Sequence, residues 1–129
     1  MLLRGKPGSG KSDLALRLID EGWDLVADDY TQLEDDDGVL RAQAPAAIQG
    51  LLEVRGVGIV RLDSAALAQV VAVFDLSPLS DIDRLPEPAT TTLLGLDVPL
   101  YALHGLDASA PAKVRMALKA QTEGLFHQS

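Results

Sequence analysis

The sequence predicts an α/β fold, a central twisted sheet with flanking helices, on three observations. A short apolar run, Leu2-Leu3, leads into a glycine-rich loop, and an amphipathic helix follows at once. The runs Leu25-Val26-Ala27 and Val70-Val71-Ala72-Val73-Phe74 have the length and aliphatic content of strands buried on both faces. Together they set out strand, loop, helix and strand, the beginning of an α/β unit.

The elements follow in order. Leu14, Ala15, Leu18 and Ile19 recur at helical spacing from about Lys11 to Glu21, and Gly22 ends that helix. Leu25-Val26-Ala27 is then a strand closed by Asp28-Asp29, expected to pair in parallel with the first. Trp23 is expected to pack at the corner between this helix and strand rather than to stack on a base. Asp35-Asp36-Asp37-Gly38 reads as an exposed turn between two strand pieces, its acids a solvated loop rather than a metal site. Residues 51–62 carry Leu-Leu-Glu-Val-Arg-Gly-Val-Gly-Ile-Val, whose glycines permit a bulge or tight bend. After the strand at 70–74, residues 78–88 form a polar, proline-containing connection. Leu93-Leu94 and Val98 to Leu103 are two further short strands, and Ser109-Ala110-Pro111 opens a last helix, with the serine as N-cap, that Gly124 ends. With 129 residues, no internal repeat and no low-complexity linker, residues 1–129 read as a single domain.

Composition removes several classes of function. The formal charge of −8 opposes a general nucleic-acid binder, which needs a basic footprint to displace counterions. No apolar run approaches the roughly 18 residues of a membrane span. The absence of cysteine excludes disulfides, thiolate metal sites and a cysteine nucleophile, and with the glycine loop it points to the cytoplasm. His104 and His127 are too few and too far apart to suggest a metal centre.

The chemistry lies first in Gly5-Lys6-Pro7-Gly8-Ser9-Gly10-Lys11-Ser12, which satisfies G-x-x-x-x-G-K-[ST] in full between an apolar run and a helix. Its glycines let backbone N–H groups converge on phosphate oxygens, and the new helix presents its positive end to the same anions. Pro7 stiffens the loop, and Lys6 is a nearby surface charge. Lys11 suits the β- and γ-phosphates of ATP and Ser12 suits Mg²⁺. Asp28 and Asp29 end a buried strand, where ligands gather in open α/β sheets; one suits a general base and the other the management of a metal, although a strand ending in a solvated turn explains them equally simply.

In that order, Gly-x-x-Gly-x-Gly-Lys-Ser, Leu-Val-Ala-Asp-Asp and Leu52-Glu53-Val54-Arg55-Gly56-Val57-Gly58-Ile59 resemble the catalytic domain of HPr kinase/phosphorylase over residues 1 to about 104. The third stretch is similar to the family's signature, which ordinary small-molecule kinases lack. The resemblance implies a P-loop fold related to phosphoenolpyruvate carboxykinase, a homohexamer, and an ATP-dependent protein serine kinase acting on the phosphocarrier HPr. By motif it implies a phosphate-binding catalytic Lys11, Ser12 and Glu53 as Mg²⁺ ligands, Asp29 as proton acceptor beside Asp28, and a catalytic Arg84 in Asp83-Arg84-Leu85. By the residues alone, Glu53 with Arg55 also reads as a cross-strand surface pair and Arg84 as a solvated loop residue.

Two departures stand out. The family carries a catalytic histidine upstream of the loop, and this sequence begins too close to the loop to include it, with only Met1 to Arg4 for the strand; it reads as lacking the extreme N-terminal strand. After a Val-Pro pair the family continues to an Arg-Pro-Gly-Arg segment used for dephosphorylation, whereas Val98-Pro99-Leu100-Tyr101-Ala102-Leu103 leads to neither arginine. The reverse phosphorolysis is therefore expected to be weak or absent. Two other readings use the same loop: a kinase of a small metabolite or lipid head group, and a nucleotide-binding regulator without turnover.

Overall fold

The structure, a computed structural model, describes residues 1–26, 31–65 and 67–127. Among these, nine strands and two α-helices are arranged as β1 (Leu2–Arg4), α1 (Lys11–Asp20), β2 (Gln32–Asp36), β3 (Val39–Gln43), β4 (Leu51–Val54), β5 (Gly58–Arg61), β6 (Ala68–Gln69), β7 (Val73–Leu76), β8 (Ala89–Leu93), β9 (Leu96–Leu103) and α2 (Ala110–Glu123).

The principal sheet has the order β1-β7-β9-β8, with β1, β7 and β9 parallel and β8 antiparallel at one edge. Strand side chains alternate between faces, and β7 is buried on both: Val73 and Phe74 are each fully inaccessible. On one face Phe74, Ala72 and Leu76 pack with Leu14 and Leu18 of α1 and Ala110 and Val114 of α2. On the other, Val73 and Val98 pack with Leu40 and Ala42 of a small antiparallel sheet, β2-β3-β6, and with Val70 just after β6. β4 and β5 form a separate hairpin. The expected α/β class is thus observed, with helices on one face and a second sheet on the other.

One expected pairing takes another form among the described residues. There the parallel neighbour of β1 is β7; of the expected strand Leu25-Val26-Ala27, Leu25 makes an isolated parallel bridge to Ser64, and Ala27 lies outside the described residues. Local order in the chain suggested the nearest apolar run as partner, but β7 offers β1 a strand buried on both faces. Capping is also corrected at α2, where Ser109 is already helical in conformation (φ −81°, ψ −3°) and its side chain makes no capping hydrogen bond. Trp23 packs against the helix-side core, as expected.

Two hairpins close with two-residue turns in which both residues have positive φ: Asp37-Gly38 (53°, 86°) and Leu94-Gly95 (51°, 77°). The first has favourable chemistry, and Asp35 Oδ1 accepts a hydrogen bond from the Gly38 N–H at 2.8 Å. The second puts a leucine where asparagine is preferred, and 56% of that leucine is exposed. Leu94→Asn is therefore expected to raise stability by about 1 kcal/mol, measured as a higher urea midpoint at unchanged slope; an unchanged or lower midpoint would show that Leu94 has a packing role.

Candidate functional site

β1, β7 and β9 run in the same direction and end side by side, so the residues that follow them, Gly5, Ser77 and His104, lie along one edge of the sheet. Ligands of open α/β sheets bind at that edge. The glycine loop begins there. Gly10 has φ 92° and precedes α1, which has no side-chain cap, leaving the amides of its first turn to an incoming anion. A Cβ on Gly10 would also sit 2.8 Å from Leu106 Cδ2, so glycine is required by backbone conformation and by packing. At Gly5 packing alone favours glycine, because a Cβ there would meet the Ser9 side chain and Leu76 Cβ at 3.3 Å. The Ser9 hydroxyl is buried and has no hydrogen-bond partner among the described residues. Around Gly8 (φ 84°) nothing lies within 4 Å of such a Cβ, which leaves the outer side of the loop open.

The loop borders two hollows. Gly5, Lys6, Pro7, Gly8 and Ser9 line a cleft of about 620 Å³ with Arg4, Asp75, Ser77, Asp81 and His104. Lys11 and Ser12 line a second cavity, about 310 Å³, with the apolar Leu2, Ala15, Ile19 and Trp23, and with Val26 and Thr31. Lys11 is half-buried at the start of α1, and Ser12 is exposed beside it.

Charge in the cleft is arranged by a pair that sequence reasoning did not foresee. Arg4 and Asp75 stand opposite in the β1–β7 register, and the guanidinium donates two hydrogen bonds to the carboxylate, Nε to Oδ1 at 2.6 Å and Nη2 to Oδ2 at 2.9 Å. These bonds raise the Arg4 pKa above its usual range, against a smaller effect of burial. The mutual neutralisation leaves Lys11 and the loop amides to meet an anion. His104, set aside above as a metal ligand, lines the same cleft; its Nδ1 lies 3.3 Å from the Ser77 carbonyl, which only accepts, so Nδ1 carries the hydrogen. The signal available in the sequence was position, since His104 directly follows a predicted strand.

The other expected site residues are distributed as follows. Asp28 and Asp29 lie outside the described residues. Glu53 sits on β4, directly opposite Ile59 across the hairpin, and is exposed; Arg55 occupies the turn, so the two do not face each other across strands. Arg84 is exposed in the segment after Leu79–Asp81. Neither Glu53 nor Arg84 is among the residues lining the two hollows.

The residues present fit the phosphates of ATP: glycines that allow close approach, an uncapped helix start and one lysine. They also fit Mg²⁺ held through Ser12 and phosphate oxygens, because this ion keeps most of its ligands from water and phosphate rather than from a protein cage. Among the described residues no group of three or more His, Asp or Glu forms such a cage.

Comparison with known proteins adds a family. The family model described as HPr Serine kinase C-terminal domain matches residues 1–105. The HPr kinase/phosphorylase of Clostridium novyi (strain NT) is 52% identical over 60 residues, 46% of this chain and 20% of the relative. That of Clostridium beijerinckii is 35% identical over 108 residues, 83% of this chain and 36% of the relative. The chain thus spans between about a fifth and a little over a third of these relatives. Among solved structures, the Hpr(Ser) kinase/phosphatase from Coxiella burnetii superimposes with a TM-score of 0.83 over 95% of this chain and 87% of that one, at 22% identity, which establishes the shared fold.

Proposed function

Because the chain belongs to the HPr Serine kinase C-terminal domain family, we propose that it transfers the γ-phosphoryl group of ATP to a serine hydroxyl of the phosphocarrier protein HPr. The observation that carries this reading is the cavity at the start of α1. Lys11 and Ser12 line it together with Val26 and Thr31, the described residues on either side of the segment that contains Asp28 and Asp29. The cavity supplies the phosphate grip, and the proton acceptor, Asp29, enters by the family resemblance alone.

In this reading the amides of Gly8 and of Gly10 to Ser12, with the Lys11 ammonium, hold the β- and γ-phosphates in line with the acceptor. Asp29 takes the proton of the serine hydroxyl as its oxygen bonds to phosphorus, the bond to the β-phosphate oxygen breaks, and ADP departs. By the family resemblance Ser12 and Glu53 would hold Mg²⁺, which would offset charge on the phosphates. By the same resemblance Asp28 would support Asp29 and Arg84 would meet the transferred group. Homo-oligomerisation belongs to the same proposal, a hexamer by the family resemblance, and the exposure of Val57 (74%), Ile59 (72%) and Leu85 (86%) beside Glu53 and Arg84 supports it. A cytoplasmic setting follows from an HPr partner. Among the described residues no helix is long and apolar enough to cross a membrane.

The test is the mass of HPr after incubation with ATP, Mg²⁺ and protein. Wild type is expected to add one phosphate to a serine, and Asp29→Asn to add none while still binding ATP. Serine-phosphorylated HPr supplied with inorganic phosphate is expected to release little or no pyrophosphate, because the turn after β9 contains no arginine. HPr left unmodified by a protein that phosphorylates a small metabolite would overturn the proposal, and rapid pyrophosphate release would overturn its one-way character.

A further inference from the structure

The turn between β9 and α2, residues 104–109, is packed onto the phosphate loop, and one side chain ties it there. Arg17 lies on α1, one turn beyond Asp13, and in sequence the two read as an ordinary surface pair. Their ion pair exists, with Nη2 2.9 Å from Asp13 Oδ2. The guanidinium does more: Nη1 donates to the Asp107 carbonyl at 2.8 Å and Nη2 to the Gly105 carbonyl. Its Nε is buried without a hydrogen-bond partner among the described residues, a cost accepted for that placement.

What Arg17 holds is the part of the turn that touches the loop. Leu106 closes over Gly10, within 2.8 Å of where a Cβ would stand. Gly105 packs so tightly that its own Cβ would lie 3.0 Å from the Ser9 carbonyl oxygen and 2.9 Å from Leu76. Asp107, whose carbonyl Arg17 grips, also has its carboxylate 3.8 Å from Lys113 of α2 and 3.9 Å from His104. Within the loop a hydrogen bond joins Ser9 N–H to the Lys6 carbonyl at 3.0 Å. A loop whose amides must remain available to phosphate is held in shape chiefly by what packs against it.

We propose that Arg17 is a positioning residue for nucleotide binding: by clamping the Gly105 and Asp107 carbonyls it presses the 104–107 turn onto Ser9 and Gly10 and keeps the loop amides aimed at phosphate before the nucleotide arrives. The same contacts draw the Asp13 carboxylate to Arg17, which neutralises an acid in the first turn of the helix that receives the anion. The proposal rests on the nucleotide reading of this loop. Without the clamp a smaller fraction of molecules has a competent loop, and apparent affinity falls by that fraction.

Arg17→Met and Arg17→Lys are compared with Arg115→Met, which removes the ion pair from α2 to Glu21 at the other end of α1 (3.3 Å). Two readouts are taken: hydrogen exchange of the Gly8–Ser12 amides without ligand, and the Kd of a non-hydrolysable ATP analogue by calorimetry. Arg17→Met is expected to speed exchange of those amides and to raise Kd about tenfold; Arg17→Lys, which cannot span both carbonyls, falls between; Arg115→Met leaves both readouts at wild-type values. Unchanged loop exchange in Arg17→Met would overturn the proposal, as would an equal change in Arg115→Met, which would mean general loosening of α1. Should the wild type bind no nucleotide, the reading of the loop fails while the exchange data still decide whether Arg17 positions it.

Discussion

Lys11→Ala is expected to lower phosphoryl transfer by about 10³-fold, the scale at which one positioned charge acts on the oxygens of a transferring phosphoryl group. Lys11 is half-buried at the first residue of α1 and lines the cavity it shares with Ser12. Its neighbours in that hollow are largely apolar, so its charge is poorly replaced by water there. Arg4 cannot substitute, being engaged by two hydrogen bonds to Asp75. The fold does not depend on Lys11, because the helix is anchored by the buried Leu14 and Leu18. Single-turnover transfer together with a thermal unfolding midpoint checks this. A variant that folded and still transferred phosphate within tenfold of wild type would remove the phosphate loop from the mechanism.

Phe74→Ala is expected to cost about 4 kcal/mol of stability, the usual loss for truncating a fully buried phenylalanine. Phe74 lies at the middle of β7, wholly inaccessible, among Leu14, Leu18, Leu76 and Val114. Its ring stacks on Tyr101 with centroids 5.0 Å apart and 22° between planes. Tyr101 in turn donates to Gln121 Oε1 at 2.8 Å, and Gln121 Nε2 donates to the Val71 carbonyl at 2.9 Å, so the ring is part of the tie between the sheet and α2. Burial raises the Tyr101 pKa, so the hydroxyl keeps its proton and this hydrogen bond persists across neutral pH. With domain stabilities of roughly 5–15 kcal/mol, the variant is expected to be largely unfolded at moderate urea concentrations where wild type is intact. A loss below about 1 kcal/mol would mean that β7 is not the centre of the core.

The parts of the site legible in the sequence were those whose chemistry is carried by consecutive residues. The phosphate loop is local: its glycines, its lysine and the helix after it are neighbours in the chain, and they fold as neighbours. The hairpin at Asp37-Gly38 was legible for the same reason, since an aspartate and a glycine state the turn they form. Leu94-Gly95 states it only by half: Leu93-Leu94 read as a strand, whereas β8 is Ala89–Leu93 and Leu94 lies in the turn. Helix spacing showed Leu14 and Leu18 as a buried stripe without showing what covers them.

Contacts between distant segments were not legible. Arg4 and Asp75 meet because β1 pairs with β7, a choice made by burial of both faces of β7 and not by the order of apolar runs along the chain. Arg17 on a helix surface looks solvated until the turn after β9 brings two carbonyls to it. The sequence alone therefore determined the α/β class and the position of the glycine loop, with its lysine, at the start of the first helix, because local hydrogen bonding and side-chain periodicity are written within a few residues. Only the tertiary structure decided which strand lies beside that loop, which charges are already paired and what holds the loop in place, because these depend on the packing of segments separated by tens of residues, where many arrangements satisfy the same local pattern and the burial of shared surface selects one.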